Sequence, residues 1–548
     1  MKPMTAISHL LFVCSAAGLL GLSATGCEEE TVTGDEQDAS ASVDDVFAKT
    51  ALKGGCSVKV VKTGRTVKTT GKNGKCPTTV TGVLDALQAD ANNVLHTYVV
   101  SEQGDGAPGT KPDGNTPYRF VVAVETKGRT ADKLFLSLLG SGDGVSDTFI
   151  EVMSFNEKKG VYAFYDLSGG KWVQEGDGSQ VPTDALGAEP AFRCIGCHTT
   201  GMPLMKELHD SWSNWNSTWF SMPDPGTADP LFRRLFDAKE RADDLELHII
   251  EGTKAATRTR VEKAKKEGNL KPLLTQLMCD VGEPAMIAAH SKSSTRMGTV
   301  STFSSMLPSS ILLNNLFKTP QTGTGPQDGM DNILGMNIPA LSSVRVDAAS
   351  YVKALGTIDQ EIGGQKGDAM FPMSSPEKSF SDFQVIQELF AQNLVDKDVL
   401  ADALMTDFTV STFSTARCDL AETIPDNWAD ATELKTKWAE SLGSSSLRGA
   451  SGLKARLEKA DDFGDHEKAV DTYIAACNTR GTMDKDAYAL DLLKVMSQRR
   501  LEFTERYEQV VESEWLLPTD NLGSAPHAIR LNGTTCAIEN QTTKFVGE

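Results

Sequence analysis

The chain has 548 residues, enough for about two to four domains, and 40% of them are hydrophobic, an ordinary share for a globular protein. It carries 74 acidic side chains against 54 basic ones, a formal net charge of -20, which argues against a nucleic-acid partner. No apolar stretch reaches about 18 residues, so no membrane span is expected.

The chain opens with Met1 and Lys2, then an apolar run over residues 10–22 and small residues after it. Ala24-Thr25-Gly26-Cys27 follows, with alanine where leucine is more usual. This segment resembles the leader and lipobox of an exported bacterial lipoprotein. The resemblance implies a signal peptide over residues 1–26, lipid on Cys27, and export to the periplasm. With Glu28 rather than aspartate next, it implies an anchor in the outer membrane of a Gram-negative bacterium. The plainer alternative is an ordinary signal peptide that ends near a cysteine. Residues 27–50 carry Glu28, Glu29, Glu30, Asp35, Glu36, Asp38, Asp44 and Asp45, with little that could form a core, and are expected to be a flexible acidic tether.

A β-rich domain is expected over residues 51–228. Residues 56–76 suit a hairpin, with Thr63-Gly64 at its turn and Cys56 and Cys76 as a local clasp. Its lysines and Arg65 are read as a solvated face, with docking of an acidic partner or lipid headgroups as the alternative. Residues 80–99 carry Val83, Leu84, Leu87, Val94 and Leu95 and predict a helix. A meander is then expected from strands at 118–124, 133–139, 148–155, 160–166 and 170–173, with glycine-bearing turns between the later ones.

After one more loop comes Cys194-Ile195-Gly196-Cys197-His198. Two thiols three positions apart with an imidazole directly after the second form the attachment signature of haem c. Each thiol can add to one porphyrin vinyl group, and the short tether brings His198 to the iron as an axial ligand. Two other chemistries use paired cysteines. A redox dithiol would sit in a βαβ unit, and none surrounds this motif. A zinc site would need a second ligand pair at similar spacing, and the chain has one such pair. Setting aside Cys14, Cys27 and the motif leaves Cys56, Cys76, Cys279, Cys418, Cys477 and Cys536, an even set that suggests three disulfides in an oxidising compartment.

Residues 206–220 predict a helix with Trp212, Trp215 and Trp219 on one face, to pack on a haem or in a protein core. From 229 to 548 a mainly α-helical domain is expected, with helices at 230–250, 253–267, 270–279, 308–317, 380–394, 397–405, 428–442, 453–461, 466–477 and 484–514. The fold class is therefore α+β.

The second axial position decides between electron transfer and small-molecule chemistry. Met202, Met205 and His209 follow His198 too closely to round a porphyrin edge with ease. Met222, in a proline-bounded loop, is the first methionine with a comfortable tether and is the candidate distal ligand. His96, His248, His290, Met278 and Met286 are further candidates, and an open position is the alternative. With these residues in place, the chain resembles a monohaem c-type cytochrome built as a lipoprotein. The order of meander, tryptophan and motif is weakly similar to the β-sheet cytochromes of the c-prime-beta type, whereas the long helical half is not. That resemblance implies one covalent haem c, a periplasmic redox partner and electron transfer. The alternatives are a haem-dependent oxidase or peroxidase with an open iron face, and a helical scaffold lipoprotein with an accessory haem.

Overall fold

In the computed structural model the described residues up to the helical half are 56–60, 67–71, 76–101, 118–127, 134–141, 143–156, 160–178, 198, 201–203, 216 and 221–279. Beyond them it describes 283–286, 312–314, 316–317, 333–343, 346–347, 349–350, 353–354, 356–357, 374–378, 380–410, 414–459, 463–495 and 529–540. The leader, Cys27 and the acidic tether lie outside these residues. Among them, no helix is long and apolar enough to cross a membrane.

The N-terminal part is built on an antiparallel sheet. Its strands are β3 (Asn93–Ser101), β4 (Tyr118–Thr126), β5 (Leu134–Ser141), β6 (Gly144–Val145), β7 (Phe149–Asn156), β8 (Val161–Ser168) and β9 (Lys171–Asp177). Their order is β3-β4-β5-β7-β8-β9, with the short β6 on β5. A separate hairpin, β1 (Cys56–Val60) with β2 (Val67–Gly71), pairs antiparallel. Alternation of side chains gives the sheet two faces. On one face, Tyr118, Phe120, Leu136, Val152 and Tyr165 pack with helix α1 (Val80–Gln88) and helix α2 (Pro230–Asp237). Asp229 starts α2 by accepting from the Phe232 amide at 2.7 Å, with Pro230 in the first turn. The helix then buries Leu231, Phe232, Leu235 and Phe236, each worth about 1.5–3 kcal/mol.

The opposite face carries Tyr98, Phe135, Met153, Phe155, Tyr162 and Phe164. It is covered by the N-terminal part of helix α3 (Ala242–Glu267), through Ala242, Leu245, Ile249 and Ala256. Further along, Val261 of the same helix enters the core of the helical half. Packing of the sheet thus takes in residues well past 228.

The helical half contains α4 (Lys271–Cys279), α5 (Phe380–Ala391), α6 (Lys397–Leu404), α7 (Thr415–Ala421), α8 (Ala431–Gly443), α9 (Ala450–Glu458), α10 (Phe463–Met483) and a helix over residues 485–495. Two-stranded pairings join β10 (Glu283–Met286) to β11 (Ser374–Glu377) and β12 (Ile529–Leu531) to β13 (Ile538–Asn540). Disulfides join Cys279 to Cys418 and Cys477 to Cys536. Cys76 is also disulfide-bonded, and the side chain of Cys56 lies outside the described residues. The chain is α+β, a sheet followed by a helical region.

Some elements differ from the expectation. The helix expected over 80–99 stops at Gln88, and residues from Asn93 onward form β3. Asp90 accepts from both the backbone and the side chain of Asn92, forming a turn that ends the helix. The breaks expected around 251–252 lie instead at 238–241, where Thr97 and Lys239 bridge and Glu240 donates to the Thr97 carbonyl. In the stretch expected as a helix over 308–317, the described residues form turns that bury Leu312, Leu313, Leu316 and Phe317. Helix α7, capped by Ser414, was not expected.

Candidate functional site

His198 lies against the sheet. Its ring packs on Phe164 of β8, centroids 5.4 Å apart and planes tilted by 38°. The local chain explains how it is held. Gly201 donates its amide to the His198 carbonyl at 2.7 Å, closing a turn, and adopts φ +70, where a side chain would be strained. Met202 then folds back, and His198 Nδ1 donates to the Met202 carbonyl at 2.8 Å. The Met202 side chain is buried with Tyr98, Phe135, Met153 and Phe164 on the same sheet face.

This arrangement sets the protonation of the ring. Burial pushes His198 below the ordinary histidine range, while the Met202 carbonyl and the charge of Glu151 pull weakly upward and Arg119 pushes down. The imidazole is therefore neutral near pH 7, with its proton on Nδ1 and a lone pair on Nε2. A ring in this state has Nε2 free to accept or to coordinate, with its orientation fixed through Nδ1. Among the described residues there is no group of three or more His, Cys, Asp or Glu that could hold a metal ion. What His198 offers is a single nitrogen donor beside an aromatic wall.

Cys194 and Cys197 lie outside the described residues, as do Met205, His209, His290 and the three tryptophans of 206–220. Asn216 of that stretch is described and pins it to the sheet edge. Its amide donates to the Val99 carbonyl at 3.0 Å and its Nδ2 to the Glu240 carbonyl at 2.8 Å.

Met222 is not brought to His198. Its amide donates to Asn216 Oδ1 at 3.2 Å, and its side chain is buried with α1 and α2 against the other sheet face. The sheet stands between its sulfur and the imidazole. Met278 is buried in the helical core, and Met286 sits in β10. His96 and His248 are on the His198 side of the sheet but engage each other, centroids 4.8 Å apart. His96 is also held by Glu240 at 3.0 Å and by Glu125 at 3.3 Å.

Two residues near the ring were not singled out from sequence. Arg119 of β4 and Glu151 of β7 form an ion pair at 3.1 Å on the His198 face. Their signal was phase: Arg119 alternates with Val121 and Ala123, and Glu151 with Met153 and Phe155, all inward positions.

No family model, curated protein or solved structure matches this chain.

Proposed function

We propose that the chain is an exported haem c protein that binds one haem through Cys194, Cys197 and His198 and passes single electrons to a periplasmic redox partner. The observation that carries this is the neutral, carbonyl-oriented imidazole of His198, directly after a paired-thiol motif and packed at a tilt on an aromatic sheet face. Bound haem would supply a one-electron iron couple and, where one iron position stays open, a site for small molecules. The protein's part is to keep the Nδ1 proton on the Met202 carbonyl, to hold the ring on Phe164 and to keep water from that face with Tyr98, Phe135 and Met153. Cys27 would carry the lipid anchor, with the acidic segment after it as the tether.

The second reading is a haem-dependent oxidase or peroxidase. It is favoured by one placement: Met222 and Met278, two of the candidates for the second axial position, are packed elsewhere.

Full-length protein made in the periplasm of a host that matures c-type cytochromes tests both. The expected product is coloured, keeps its haem through denaturing electrophoresis, and loses that covalent haem in Cys194→Ser/Cys197→Ser. Colourless protein with no added mass beyond lipid would end the proposal. A reduced spectrum unmoved by carbon monoxide supports the carrier, and one that shifts supports the enzyme.

A further inference from the structure

The face of the sheet that meets His198 is mainly aromatic and apolar, with the His96–Glu125 pair toward the β3 edge and a second polar group drawn from four adjacent strands. Register places Val121 of β4 opposite Ser137 of β5, Ser137 opposite Glu151 of β7, and Glu151 opposite Asp166 of β8. Arg119, two residues before Val121 and in phase with it, reaches into this row. Its Nη1 donates to Ser137 Oγ at 3.0 Å and to Glu151 Oε2 at 3.1 Å. Two carboxylates face each other across β7 and β8, a costly arrangement for like charges, with one guanidinium beside them. The Arg119 and Glu151 side chains are 30% and 29% exposed, and Asp166 is 8% exposed.

Stability does not account for this choice. A partly buried ion pair gives little net stabilisation, and apolar residues would continue the face on either side. Its position suggests another role, since Phe164, on which His198 packs, is two residues from Asp166 on the same strand and face. Glu151 lies opposite Asp166, two residues along β8 from Phe164, and Arg119 pairs with it at 3.1 Å, so the two opposite charges sit together on the face that carries His198.

We propose that the Arg119–Glu151 pair is an electrostatic trim on the His198 site, two opposed charges, the arginine held in place by Ser137, that set the reduction potential of the iron bound there. This rests on haem binding at His198. Oxidised iron carries one more positive charge than reduced iron, so Glu151 favours the oxidised state and Arg119 the reduced state. No proton has to move: the iron gains one electron and the pair stays ionised. Held together, the two nearly cancel, and either alone biases the couple.

The test is potentiometry on the full-length haem-loaded protein. Arg119→Gln leaves Glu151 unopposed and is expected to lower the midpoint potential. Glu151→Gln is expected to raise it. A shift of about ten-fold in the reduced-to-oxidised ratio at fixed potential, about 59 mV for one electron, is the size expected for each. The double variant returns close to the parent, and Arg119→Lys, which keeps the charge, stays near it too. Shifts of the same sign in both single variants, or none in either, would overturn the trim. Circular dichroism of each variant identifies any that fails to fold, and Arg119→Lys against Arg119→Gln then decides. Failure of haem attachment in the parent protein would count against the haem proposal. A coloured parent with unmoved variants would count against the trim alone.

Discussion

At the scale of single residues, His96 shows how one side chain joins distant segments. Burial opposes its charge, but Glu240 and Glu125 outweigh that and hold its pKa above the ordinary histidine value. The sign of the linkage follows. A raised pKa in the folded chain adds stability that is fully present below the unfolded value of about 6.5 and is lost as pH rises through the folded value. Both carboxylates are substantially exposed, so the effect is small and screened by salt. The expected outcome is a urea midpoint that falls between about pH 6 and pH 9, and falls less in His96→Gln. Equal slopes in the two proteins would remove His96 from the account. The sequence exposed such residues unevenly. The spacing at 194–198 stands out in the sequence because covalent attachment of haem would demand it. Met222 packs on the other face of the sheet, which tether length along the chain could not foretell.

Elements tell a similar story. Strands β4, β5, β7, β8 and β9 were legible because β-branched and aromatic residues alternate between glycine-bearing turns, whereas the two-residue β6 was not. Strand β3 was hidden because Val94 and Leu95 continue the helical spacing of Val83, Leu84 and Leu87, and only Asp90 and Asn92 mark the stop. Contacts between elements leave a fainter trace. Gly160, between β7 and β8, has φ +72, and a Cβ there would lie 2.3 Å from Thr259 Cγ2 on α3. Sequence marks it as a turn glycine but not as the place where the sheet touches the helix. Gly160→Ala is expected to cost about 1–2 kcal/mol from the left-handed backbone alone, and more from the clash. Adding Thr259→Ser removes the offending methyl and should recover part of the loss. If the double variant unfolds at the same denaturant concentration as Gly160→Ala, the steric part of the argument fails.

For the molecule as a whole, helix α3 determines how the two cores relate. At 26 residues it is about 39 Å long. Its N-terminal part closes the sheet face that bears His198, and its C-terminal part packs with α5 and the core of the helical region. A boundary at 228 suits the composition, because from residue 229 onward helical spacing dominates the chain. Composition cannot reveal that one helix serves two cores, since both halves of α3 read as amphipathic helix. Sharing a helix couples their stabilities. Opening either core exposes part of α3, and an α-helix cannot keep half its length unsupported without losing the tertiary contacts that stabilise it. Ala255→Pro tests this, since a proline in a helix interior removes a hydrogen bond and costs about 3 kcal/mol. Ala255 lies near the middle of the helix, before the crossover to the helical core at Val261, and its carbonyl accepts from the Thr259 hydroxyl at 3.0 Å. Hydrogen exchange should show amides of β7 and β8 and amides of α8 both losing protection in the variant, by similar free energies. If only one set responds, the two cores unfold independently, and the state of the His198 site has no mechanical route to the helical half through α3.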